Sequence, residues 1–195
     1  MKSKKYKEKY SKKAGKKPIK NKQIINYNWI LKITISTFLI SLVFSFVSET
    51  VIPNVNIFIS LILILVFVGL GILFDIIGVS ITVADPKTFN SMAAKNVKGA
   101  KLAVKLIKNA EKVSSFCNDV IGDICGIISG STSASIAIIL ASKFNWNLII
   151  VSLIITSVVA SMTIGGKAIG KSIAINKSNV IVFRFSAILA IFYRK

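Results

Sequence analysis

The chain contains no histidine. That excludes zinc sites built on imidazole and any histidine general base. Acids are also scarce: 7 Asp and Glu residues stand against 26 Lys and Arg, a formal charge of +19. Only two cysteines occur, Cys117 and Cys125. On one helix that spacing separates them by about 12 Å along the axis, beyond disulfide reach, so they are read as packing residues. No nucleophile–histidine pairing, phosphate-cradling glycine loop or metalloprotease helix is present, and no enzyme is expected.

What the chain has in quantity is apolar residues, 53% of the total. Their distribution says more than their number. Residues 1–22 carry eleven Lys and one Glu, with Gly15 and Pro18; such a segment cannot bury a core and reads as disordered. From Trp29 onward, long apolar runs dominate. About 20 apolar residues in a helix cross a hydrocarbon layer about 30 Å thick.

Four such runs are present. The first, Trp29–Ser48, lies in a segment 28–50 and is too long for the apolar core of a cleaved signal peptide. The others are 57–84, 113–141 and 148–165. Between the second and third, residues 86–112 alternate apolar positions such as Phe89, Met92, Ala103, Val104 and Ile107 with Lys98, Lys101, Lys105, Lys108 and Lys112. Steps of three and four place the two sets on opposite sides of an amphipathic helix or helix pair lying on the membrane face. Asp85 followed by Pro86 is an N-terminal cap followed by a first-turn proline. A last apolar stretch, within 178–193, contains Arg184 and is too short to span, so it reads as a second juxtamembrane helix.

The basic residues fix the orientation. Eleven lie in residues 1–22, seven in 87–112 and six in 167–195, while Lys32 sits at the inner end of the first span and Lys143 lies alone outside. Lysine and arginine favour the cytoplasmic side, so both termini and the middle loop are expected there. The expected fold is an all-α membrane protein with four transmembrane helices plus cytoplasmic juxtamembrane amphipathic helices. Its parts are a basic tail (1–27), an additional span (28–50) and a three-span domain (55–195). Nothing marks an organelle, and the cell membrane is the expected location. The tail is expected to act as a topology signal or to meet anionic lipid headgroups; it lacks the interleaved aromatics of a nucleic-acid-binding segment apart from Tyr6 and Tyr10.

Polar residues inside the spans carry the remaining information. The second span sets Gly71, Asp75, Gly78, Thr82 and Asp85 on one side. The third sets Ser115, Asp119, Gly122, Asp123, Gly126, Gly130 and Ser133 on one side, and the fourth sets Ser152, Thr156, Ala160, Thr163 and Lys167. Gly122, Gly126 and Gly130 form a doubled close-packing motif. An acid near the bilayer centre costs roughly 2.5–3.5 kcal/mol on insertion scales. Asp75, Asp119 and Asp123 are therefore retained for a reason: a hard cation such as magnesium, or a structural ion pair such as Asp75 with Lys167. Composition alone leaves both open.

The run from Phe74 to Ile107, FDIIGVSITVADPKTFNSMAAKNVKGAKLAVKLI, resembles the membrane domain of the CorC/CNNM (cyclin M) magnesium transporters. Phe74, Asp85, Pro86, Gly99, Ala100 and Ala103 fall at that family's places. After the fourth span, Gly166-Lys167-Ala168-Ile169-Gly170-Lys171-Ser172 and the stretch Val180–Tyr193 are similar to its second motif and juxtamembrane helix. The likeness covers roughly 57–193 and lacks the regulatory CBS pair. It implies transport or efflux of a divalent cation, with magnesium as the ion, by a homodimer alternating access around a midplane site. The implied ligands are Asp75, in place of the family's Ser, with Asn118, Asp119 and Asp123 from the third span and hydroxyls from Ser80 and Thr82. Lys167 stands where the family has Glu. That departure implies the alternative, a non-transporting scaffold or regulatory relative whose tail binds lipid or protein.

Overall fold

A computed structural model describes residues 27–51 and 56–192. Among these residues all regular structure is helical, in seven helices: α1 (Tyr27–Val51), α2 (Ile57–Val83), α3 (Pro86–Ala94), α4 (Ala100–Lys108), α5 (Ala110–Phe144), α6 (Leu148–Asn176) and α7 (Ser178–Phe192). Helices α2, α5 and α6 are long and apolar enough to cross a membrane. The expected additional span is helical as α1, but its described apolar stretch, Ile30–Phe46, is shorter than those of the other three. The basic tail lies outside the described residues up to residue 26.

The helix ends follow from local chemistry. Asn56 caps α2, its side chain accepting from the Phe58 N–H at 3.3 Å. Ala84 turns extended, and Asp85 then caps α3 by accepting from the Lys87 and Thr88 N–H groups at 3.1 and 3.2 Å. Asn145, at φ 52°, closes α5, and Asn147 opens α6 by accepting from the Ile149 N–H. A hydrocarbon layer demands that backbone groups be satisfied within the segment, which helices achieve along their length.

The chain divides into two compact units after Ile35. In Tyr27–Ile35, the Thr34 hydroxyl donates to the Ile30 carbonyl at 3.0 Å within the helix. In the unit from Ser36 onward, α2, α5 and α6 pack on one another. Ile64 and Val68 of α2 meet Ile136 of α5, with Ile155 and Val159 of α6 against them. The α1 residue Ile40 and the α2 residue Phe67 pack on Val120, Ile124 and Ile128 of α5.

Close approach between α2 and α6 uses glycines outside the doubled motif of α5. A methyl group at Gly126 or Gly130 would meet nothing within 4 Å. One at Gly170 would lie 2.8 Å from Ile76, and one at Gly166 would overlap Ile72. With the Ser80 hydroxyl donating to the Ala174 carbonyl at 3.4 Å, these contacts pair residues of α2 and α6 at one constant offset, so the two helices run parallel. The helix that holds the expected fourth span, 148–165, continues beyond it. Gly165, Gly166 and Gly170 do not stop the helix, which runs to Asn176, because two of them seat it on α2.

The expected amphipathic segment 86–112 is two helices, joined by a turn holding Asn96 at φ 53° and Gly99 at φ 82°, and residues 110–112 already belong to α5. Part of the apolar face of this pair packs on protein. Phe89 and Ala103 are buried with Ile81 and Ala84 at the end of α2 and with Val182 of α7, and Val104, Ile107 and Phe183 surround them.

Candidate functional site

Three helices converge where the polar residues were expected. Gly71 of α2 faces the Cys125 Cβ at 3.3 Å and the Gly122 carbonyl at 3.8 Å, measured from where its own Cβ would stand. Gly78 faces the Asn118 side chain. Asp75 lies on the same stripe, four residues after Gly71 and three before Gly78. On that helix Ile72 and Ile76 meet α6, so Asp75 occupies the strip between the α5-facing and α6-facing sides. It is partly buried. Among the described residues it has no hydrogen-bonding or ion-pair partner.

On α5 the geometry is set by a wide turn. Residues Phe116–Ile121 form a π-helical turn, closed where the Gly122 N–H bonds to the Cys117 carbonyl. A π turn accommodates one extra residue and recurs at functional sites. Here it brings Cys117 inside and Asn118 against α2, and leaves Asp119 outside. The Asn118 amide donates to the Ser114 hydroxyl at 3.3 Å, but its buried Oδ1 has no hydrogen-bond partner among the described residues. Buried acceptors are rarely left so.

The third helix contributes Lys167. Its Nζ lies 3.6 Å from where a Cβ on Gly122 would stand. Gly122 thus leaves room for an ammonium group at the α2–α5–α6 junction. The Asp75–Lys167 ion pair weighed from the sequence is not formed.

Of the six expected ligands, then, Asp75 and Asn118 share this junction and four do not. Asp119 and Asp123 are exposed on the outer side of α5, where Asp119 accepts from the Ser115 hydroxyl at 2.8 Å. The residues grouped on one side of α5 divide across its buried edge, with Gly122 and Ser133 inside and Asp119, Asp123, Gly126 and Gly130 outside; after residue 121 the helix is regular, and steps of about 100° per residue already turn Asp123 away from Gly122. Ser80 is buried, but it faces α6 and bonds to Ala174. Thr82 is exposed and donates to the Val79 carbonyl at 2.7 Å. Among the described residues no three His, Cys, Asp or Glu side chains gather closely enough to hold a metal. A magnesium site on this protomer would have to use Asp75, the Asn118 oxygen and backbone or water oxygens.

A groove of about 380 Å³ runs along the outside, between α5 and α6. It is lined by Gly126, Ser129, Gly130 and Ser133 on one wall and Thr156, Ala160 and Thr163 on the other. The groove is not legible in the sequence, because the pattern of small residues does not say which of them face a neighbouring helix.

The architecture is that of an all-helical protein with three helices fit to cross a membrane, which agrees with an integral membrane protein. No protein-family model, no curated protein and no solved structure matches the chain.

Proposed function

We propose that the protein is a multi-pass membrane protein that moves a divalent cation, with magnesium as the ion, through the α2–α5–α6 junction. The observation that carries this reading is the Asn118 Oδ1: a buried acceptor without a partner, on the stripe of contacts that also holds the unpartnered Asp75. Carboxylate and amide oxygens are hard donors suited to magnesium. Magnesium dehydrates reluctantly and keeps several waters, so two protein oxygens are a sufficient inner set for a passing ion. Asp75 lies roughly two thirds of the way along α2 from its outer end, counting 1.5 Å per residue. The site therefore sits in the inner half of the span, not at its middle.

In this reading α1 is a fourth span, and both termini face the cytoplasm of the cell, as the lysine distribution favours. The protein acts as a homodimer. Asp119, Asp123, Gly126 and Gly130 form an outer stripe of α5 that is costly to leave in lipid and small enough for close helix approach.

A second reading has its own support. Lys167 puts a resident ammonium over Gly122, where it repels a passing cation. A non-transporting scaffold would keep that charge permanently.

Magnesium flux into liposomes holding the purified protein and an entrapped magnesium dye separates the two. Transport predicts flux in the native protein and none in Asp75→Ala, with Asn118→Ala reduced and both variants folded. No flux in either orientation or gradient, with no magnesium-dependent thermal stabilisation, leaves the scaffold.

A further inference from the structure

Helix α4 carries its lysines away from its packed face. Ala100 and Ala103 are fully buried, and Val104 and Ile107 pack beside the ends of α2 and α7. Lys101, Lys105 and Lys108 of α4 are exposed, as are Lys98 in the turn before it and Lys112 at the start of α5. An amphipathic helix at a membrane surface ordinarily sinks its apolar side into lipid. Here protein covers Ala100 and Ala103 and packs on Val104 and Ile107, which leaves Leu102 and Leu106 half-buried as the apolar residues open to the acyl boundary, so lipid burial of a wide apolar face does not by itself account for the lysine row.

The depth of α4 can be read from α2. Counting 1.5 Å per residue, Ile57 to about residue 77 crosses a hydrocarbon core of about 30 Å. The last turns of α2 then stand in the headgroup layer, which adds roughly 5–7 Å on each side. α4 packs in one cluster with Ile77, Ile81 and Ala84 of α2, which on this count stand from the inner edge of the hydrocarbon to just past the headgroup layer, so α4 lies at headgroup depth. Helix α7 supports the same level. It leaves Val180, Ile188 and Ile191 exposed, Ile191 at 75%, an apolar edge suited to the acyl boundary. Its Ala187 backbone meets the Gly99 turn that opens α4, 2.9 Å from where a Cβ would stand.

Charge completes the picture. Residues 84–112 hold seven lysines and only two acids, Asp85 and Glu111. Asp85 is engaged as the α3 cap, accepting also from the Thr88 hydroxyl at 2.7 Å. On α4 the row from Lys101 to Lys108 extends about 10 Å at helical rise, with Lys98 in the turn before it and Lys112 at the start of α5 beyond it, enough to meet more than one headgroup.

We propose that this lysine row is a binding surface for the anionic phospholipids of the inner leaflet. It rests on the membrane-spanning reading and is independent of whether the protein transports an ion. Each lysine near the surface adds to the attraction for anionic lipid, and the effect fades within a Debye length. The row would hold α4, and with it the α2 end and α7, at a fixed depth.

The test reconstitutes the full chain in nanodiscs of phosphatidylcholine with a minority of phosphatidylglycerol. Native mass spectrometry then counts the lipids retained on gentle release. The native protein should retain phosphatidylglycerol above its share of the bilayer. Lys98→Gln/Lys101→Gln/Lys108→Gln should lower that enrichment about tenfold, while the matching triple arginine variant keeps it. A triple variant of equal charge change in the tail, Lys12→Gln/Lys13→Gln/Lys16→Gln, should also keep it. Circular dichroism melting establishes that each variant is folded, and single Lys101→Gln and Lys108→Gln variants should each show a partial loss. The proposal is overturned if the row variants leave the enrichment intact or the tail variant removes it equally. It is also overturned if inorganic phosphate at constant ionic strength displaces the lipid, which would mark a free-anion site. Row-dependent capture of a single-stranded RNA oligonucleotide without lipid enrichment would reassign the surface to nucleic acid. Failure of the protein to enter nanodiscs at all would sink the membrane reading and this proposal together, and is seen before any lipid is counted.

Discussion

The side-chain amide of Asn118 lies directly against the α-carbon of Gly78, so that a methyl group there would overlap its Oδ1 and stand 2.8 Å from its Cγ. Gly78→Ala is therefore expected to push Asn118 out of its place. Overpacking of this kind costs about 1–3 kcal/mol. The check is a thermal melt in detergent: Gly78→Ala should melt below the native protein, and Asn118→Ala in the same chain should recover most of the loss. If Gly78→Ala melts like the native protein, the close α2–α5 contact is wrong. If the loss remains in the double variant, the clash is with something other than Asn118.

Much of this arrangement was legible before any coordinates. Three long apolar runs became α2, α5 and α6, because hydrophobic length in a helix is a one-dimensional property that sequence displays directly. The Asp85–Pro86 start of α3 was equally local. The partition of the polar stripe on α5 was not legible. Spacings of three and four group Asp119, Gly122 and Asp123 loosely on one side, but they cover about 100° of the helix, and the buried edge falls between Gly122 and the two acids. Nothing in FCNDVI announces the π turn at Phe116–Ile121. Nor could the glycine pattern say that Gly166 and Gly170, rather than Gly126 and Gly130, seat against a helix, since that depends on which faces meet.

The two glycine pairs should respond differently to the same change. Gly166→Leu/Gly170→Leu drives side chains into Ile72 and Ile76 and should prevent α6 from packing on α2, giving a protein that aggregates on extraction. Gly126→Leu/Gly130→Leu meets open space within the protomer and should leave the folded protomer intact. If the outer stripe of α5 is where two copies meet, that second variant should run as a monomer by light scattering in detergent where the native protein runs as a dimer. A monomeric native protein would remove the dimer from the proposal, and an unfolded second variant would contradict the exposed placement of that stripe.

Asp85 supplies a pH dependence outside the membrane segments. The Thr88 hydroxyl, and then the Lys87 N–H, hold its carboxyl below the ordinary 3.8. A depressed carboxyl contributes stability above its unfolded pKa and loses that contribution as pH falls through the folded value. Asp85→Ala should therefore lower the melting temperature at pH 7 by removing the cap. The difference from the native protein should persist down to the ordinary carboxylate range and close only below it. Melting curves of the two proteins from pH 7 down to pH 2.5 test this. A difference that closes well above pH 4 would mean that another group sets the dependence.

Lys167 decides between an ion path and a fixed scaffold. Its ammonium stands over Gly122 at the junction that also holds Asp75 and the unpartnered Asn118 oxygen. Lys167→Glu would remove the positive charge and set a third hard oxygen donor on α6, beside those of α2 and α5. If the junction is an ion site, this variant should bind magnesium more tightly, seen as a larger magnesium-dependent rise in melting temperature than in the native protein. Asp75→Ala in the same chain should abolish the added rise, because the new carboxylate would lose its partner ligand. Lys167→Met serves as the reference, removing the charge without adding a ligand. It should melt near the native protein, since no ion pair to Asp75 is broken. If Lys167→Met and Lys167→Glu both fail to fold, the ammonium is a structural element of the junction and the scaffold reading stands. If both fold and neither responds to magnesium, the Asn118 oxygen is an orphan for reasons unconnected with a divalent ion, and the transport reading falls with it.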